Sequence, residues 1–97
     1  MDLKKHKIIF TPSSERDIEG FEADVALQLV KDIKTYLETS PLPFGKSRIK
    51  KLTGYNPPLY RLRSGDYRAY YRIFPGEVVI LAITQKKDSE KILKKLK

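Results

Sequence analysis

The sequence predicts an α+β fold: a small antiparallel-rich β-sheet with an N-terminal helical hairpin packed on one face and a short C-terminal helix. Three observations predict it. A β-prone run at residues 7–11 precedes two segments with helical spacing of apolar residues, residues 60–72 alternate apolar and basic side chains about Ser64-Gly65-Asp66, and residues 78–84 form an apolar run behind Pro75-Gly76-Glu77. Period-2 alternation marks strands and the i, i+3, i+4 recurrence marks helices.

Each element has a local cause. Lys7-Ile8-Ile9-Phe10-Thr11 suits a first strand, and Pro12 closes it. Thr11 is placed as an N-cap, with Pro12 at the first helical position and the helix ending around Gly20. A longer helix is predicted over 22–39, where Val25, Leu29, Ile33, Tyr36 and Leu37 form a stripe that Ala26 and Val30 widen. Ser40-Pro41-Leu42-Pro43-Phe44-Gly45 ends it, because proline and glycine cannot continue a helix. Residues 46–51 read as a basic surface excursion anchored by Ile49 and Leu52. Two hairpin strands follow, then the apolar run, which belongs in the sheet interior because it is apolar on both faces. Residues 88–97 begin with acids and end in lysines, the order a helix dipole favours.

At 97 residues the chain is expected to be one domain, 1–97. It has no cysteine, which removes disulfide and thiol chemistry and fits a reducing, cytoplasmic setting. The N-terminal apolar run, Ile8-Ile9-Phe10, is too short for an export signal or a membrane span. The net charge of +8 is uneven: residues 1–40 hold six Lys/Arg against eight Asp/Glu, and residues 41–97 hold fourteen against four. The positive field therefore belongs to the second half. It favours nucleic acid or an acidic protein as partner. His6 stands alone, and no metal-ligand spacing, glycine-rich phosphate loop or Ser/His/Asp arrangement occurs, so no metal or cofactor is expected.

Alternation places Tyr60 and Leu62, with Tyr67, Ala69, Tyr71 and Ile73, on an apolar face. Arg61, Arg63, Arg68, Tyr70 and Arg72 then share the other. The element order, with Leu62-Arg63-Ser64-Gly65-Asp66-Tyr67-Arg68 and Tyr71 following Lys51-Leu52-Thr53-Gly54, resembles the RelE/ParE superfamily of toxins from prokaryotic toxin–antitoxin pairs. The resemblance spans nearly the whole chain. It implies a concave basic face opposite the helical hairpin and a cognate antitoxin that holds the toxin inactive. RelE-like members cleave messenger RNA in the ribosome; ParE-like members poison DNA gyrase and cut nothing.

On the RelE-like reading, the protein is a metal-independent mRNA endoribonuclease acting with ribosome and mRNA, and basic side chains stabilise the charge as the 2′-hydroxyl attacks the adjacent phosphate. The resemblance assigns Arg61 and Arg68 as phosphate clamps and Lys86 and Lys87 as a further catalytic cluster. Lys46, Arg48, Lys50, Lys51, Arg63 and Arg72 are candidates for RNA-backbone positioning, and Tyr70 for stacking on a base. Other readings remain open: a solvated sheet face accounts for Arg61 and Arg63 on sequence alone, and Arg68 suits a structural role at its turn. Arginine cannot accept a proton, so the base falls to a lysine, a tyrosine or the ribosome. Residues 88–93 hold no tyrosine or histidine, unlike strongly nucleolytic relatives. That keeps two alternatives in play, a ParE-like gyrase inhibitor and a non-toxic relic that binds only its antitoxin. Ile92, Leu93 and Leu96 either cap this domain's own sheet or give way to an antitoxin segment.

Overall fold

The structure, a computed structural model, describes residues 5–44 and 47–96. The chain runs β1 (Lys7–Phe10), α1 (Pro12–Glu19), α2 (Ala23–Leu37), β2 (Ile49–Leu52), β3 (Leu59–Ser64), β4 (Tyr67–Phe74) and β5 (Glu77–Gln85). A 3-10 turn at Lys86–Asp88 then leads into α3 (Ser89–Leu96). The five strands lie in the order β1-β5-β4-β3-β2. Neighbours are antiparallel except β1 and β5, which run parallel. The apolar run of β5 is thus interior, as its two-sided character predicts.

The excursion expected at 46–51 is corrected to a strand. Ile49–Leu52 pairs antiparallel with β3 at the sheet edge. Ile49 is buried while Lys50 and Lys51 stay exposed. A short lysine-bearing strand is a common form for an edge that must not recruit further chains.

Beneath α1 and α2 lies the main core. Leu29, Ile33 and Leu37 of α2 meet Tyr60, Leu62, Ala69, Tyr71, Val78, Ile80 and Ile83 of the sheet. Tyr60 and Tyr71, paired across β3 and β4, stack with ring centres 5.7 Å apart. The buried Tyr71 hydroxyl donates to the Pro41 carbonyl at 2.6 Å and so fastens the proline-rich segment to the core.

A bulge sets which β5 residues enter that core. Tyr70 pairs with Ala82 but Tyr71 with Ile80, leaving Leu81 unmatched. Val78 and Ile80 face the helices before the bulge, and Ile83 faces them after it. An extra residue reverses the alternation. The N-cap of α1 sits at this irregularity. Thr11 Oγ1 accepts from Ser14 N–H at 3.2 Å and donates to the Ile80 carbonyl at 2.9 Å. Further along, Asp17 Oδ2 accepts the Ile83 N–H at 2.9 Å, on the stretch of β5 that β1 does not reach. Thr11→Val keeps the shape but loses both hydroxyl bonds. It is expected to cost about 1–2 kcal/mol, read as a fall in Tm of roughly 5–15 °C; an unchanged Tm would show that the hydroxyl is idle.

The opposite face of the sheet is also covered. Leu59, Tyr70 and Ala82 are buried yet lie outside the main core cluster. α3 supplies the cover. It packs against β5, and Tyr55, in the β2–β3 connection, donates its hydroxyl to the Leu93 carbonyl at 3.3 Å. Three strand spacings of about 4.8 Å separate β5 from β2, a span of about 14 Å that an eight-residue helix of about 12 Å nearly bridges. Ile92, Leu93 and Leu96 are accordingly half-buried. They cap this domain's own sheet.

Candidate nucleic-acid interface

The hairpin register builds two rows on the face away from α1 and α2. Lys50, Arg61, Tyr70 and Ala82 are cross-strand neighbours in the first; Arg63, Arg68 and Thr84 form the second. Paired residues point to the same side of a sheet. Arg61, Arg63 and Arg68, expected to share a surface, therefore do so, with Lys50 added to them.

Their environments differ. Arg61 is half-buried, and its Nε has no hydrogen-bond partner. Burial lowers its pKa, and the neighbouring cations Arg68 and Arg63 lower it further, against the Tyr70 phenol, which raises it. The guanidinium thus stands among like charges in a partly dry setting. Arg68 is 7% exposed, and its Nη1 donates to the carbonyls of Tyr67 at 3.1 Å and Gly65 at 3.4 Å. It holds the β3–β4 turn, where Gly65 takes a positive φ of 58°. Arg63 is exposed, and Arg72 is half-buried with its own Nε unpartnered.

Tyr70 departs from expectation. It is 1% exposed, so its ring is not open to a base. The reason is α3, which lies over this face and makes Tyr70 part of a second small core.

Lys86 and Lys87 stand exposed in the 3-10 turn after β5. The Lys86 N–H donates to the Asp66 carbonyl at 2.8 Å, which brings this turn beside the one that Arg68 braces. The positioning patch divides. Lys50 joins the arginines, whereas Lys51 pairs with Tyr60 and points to the helix side. Arg48 stacks over the Tyr36 ring of α2 at 5.2 Å. Lys46 lies outside the described residues. Three further residues shape the face: Tyr55, Leu59 and Thr84. Leu59 carried a signal, because it has the parity of Arg61, and an apolar residue in a basic row implies a cover.

Among the described residues no cluster of three or more His, Cys, Asp or Glu is placed to hold a metal ion, and no helix is long and apolar enough to cross a membrane. The chemistry on offer is cationic: guanidinium forks and ammonium groups that fit phosphate oxygens.

Solved structures share this fold of a small sheet with a helical hairpin on one face. The chain matches the RelBE2 toxin–antitoxin complex from Mycobacterium tuberculosis with a TM-score of 0.74 at 24% identity, over 87% of this chain and 94% of that one. It matches the RelE–RelB complex from Pyrococcus horikoshii with 0.68 at 23%, over 84% and 94%. The RelB–RelE complex from Methanococcus jannaschii gives 0.66 at 20%, over 87% and 96%. No curated protein sequence matches the chain. The family model described as the ParE toxin of type II toxin–antitoxin system, parDE, matches residues 8–95. The chain belongs to that family, within the RelE/ParE superfamily.

Proposed function

We propose that this toxin is a ribosome-dependent mRNA endoribonuclease, neutralised by a cognate antitoxin. The observation that carries the reading is Arg61: a half-buried guanidinium with an unpartnered Nε, set among like charges. Such a group is costly to maintain unless an anion arrives to pair with it, and perturbed cations of this kind concentrate at functional sites. A scissile phosphate supplies that anion. Arg61 donates to its non-bridging oxygens as the 2′-hydroxyl attacks phosphorus and the 5′-oxygen leaves. Arg68 acts at one remove, by fixing the turn that presents Arg63 and Lys86. Lys50, Arg63, Lys86 and Lys87 steer the RNA backbone. The 2′-hydroxyl proton goes to a group outside the cationic cluster, and ribosomal RNA in that role makes the reaction depend on the ribosome; the departing 5′-oxygen takes a proton from the Lys86 ammonium.

Mapping transcript ends after brief induction without antitoxin tests the reading, with Arg61→Ala as control. Cuts confined to translated regions and lost in the variant are expected. A second reading has its own support in the matched family's description as ParE toxin and in the lack of tyrosine or histidine at 88–93. On that reading the same cationic face binds DNA gyrase without chemistry, and induction yields DNA damage with intact transcripts. Growth without arrest would rule out both and leave an antitoxin-binding relic.

A further inference from the structure

We infer that the recess between the end of α2, the segment after it and the β2 edge docks an acidic amphipathic helix of the antitoxin. The inference rests on the toxin–antitoxin reading and adds where, and by what chemistry, the partner is held. The recess encloses about 500 Å³ and is lined by Tyr36, Leu42, Phe44 and Ile49, with Arg48 at its rim. Phe44 is 90% exposed and Leu42 is 59% exposed, side by side on one short segment. Large apolar side chains clustered about a concavity mark an interaction surface, whereas scattered single ones do not.

Charge selects the occupant. The Arg48 guanidinium carbon sits 5.2 Å from the centre of the Tyr36 ring, and Lys51, exposed and on the helix side of the sheet, follows it. A second copy of this chain would bring the same positive rim and be repelled. A partner with carboxylates beside its apolar residues gains charge-assisted bonds there.

Backbone hydrogen bonding selects its shape. β2 is an edge strand, yet Ser47 Oγ accepts the Ile49 N–H at 3.2 Å and donates to the Ile49 carbonyl at 2.9 Å. The outward groups that an added strand needs at Ile49 are therefore taken. A helix satisfies its own backbone, and can seat an apolar stripe on Phe44 and Leu42 while its flank meets Arg48.

The test titrates the full-length cognate antitoxin into the intact toxin. Phe44→Asp and Arg48→Glu are each expected to weaken Kd by about 10- to 100-fold at unchanged Tm. Leu27→Asp, at a position equally open to solvent on α2, is expected to leave Kd unchanged. Hydrogen exchange should show new protection across 35–44 in the complex. Binding within twofold of wild type by both recess variants overturns the inference while leaving the pairing intact, and so does protection confined to the 49–52 backbone. An antitoxin that fails to bind even the wild-type chain overturns the toxin–antitoxin reading itself.

Discussion

Tyr71→Ala is expected to destabilise the protein by about 3–5 kcal/mol, a large share of the 5–15 kcal/mol typical of a domain. The ring is fully buried, stacks on Tyr60 and stands where α2 meets β4. Its hydroxyl also ties Pro41, so truncation opens a cavity and releases the loop together. Tyr71→Phe separates the two effects. It keeps the packing and removes one buried hydrogen bond, a loss of about 1–2 kcal/mol. The pair also predicts a pH dependence. Burial, and then Tyr60, raise the Tyr71 pKa above the ordinary phenol range, so the folded state holds its proton more tightly than the unfolded state. The stability this provides is intact below about pH 10, the ordinary tyrosine value, and declines as the pH climbs beyond it. Denaturant titrations across that range should show wild type losing stability that Tyr71→Phe does not. Parallel profiles would mean that the phenol ionises without cost.

Arg61→Ala carries the largest expected effect on activity. Removal of one preorganised donor from a developing oxyanion typically costs 10²–10³-fold in rate, so transcript cleavage should fall at least about 100-fold. Stability should stay level or rise, because the substitution removes a desolvated cation from the company of Arg63 and Arg68. Arg68→Ala should behave differently. It gives up carbonyl bonds within the β3–β4 turn, so cleavage and stability fall together, the latter by about 1–3 kcal/mol. Cleavage assays beside thermal melts of the two variants make the comparison. An Arg61→Ala protein that cuts at full rate would remove the phosphate clamp from the mechanism.

Legibility in the sequence followed the strength of local signals. Thr11-Pro12, the stripe from Val25 to Leu37 and the Ser64-Gly65-Asp66 turn each carry a steric or hydrogen-bonding rule within a few residues. They place α1, α2 and the hairpin within two residues of their observed ends. β2 was missed because Ile49-Lys50-Lys51-Leu52 has little strand propensity of its own; pairing with β3 makes it a strand. The bulge at Leu81 was invisible for a similar reason, as every residue from Val78 to Ile83 is apolar and none marks a break in alternation. At the site, the common face of Arg61, Arg63 and Arg68 followed from parity alone. The burial of Tyr70 did not, because it depends on α3 crossing the sheet from a distant part of the chain.

The parallel pairing of β1 with β5 has a consequence in time. Thr11 finds the Ile80 carbonyl 69 residues further along the chain. At synthesis rates of about 5–20 residues per second, several seconds separate the emergence of the first strand from that of the strand it joins. During that interval the sheet is open at one side and α3 does not yet exist. The strands that carry the arginines are therefore made before the strand and helix that close the sheet around them, and each molecule passes through a brief interval in which its cationic face exists without its cover.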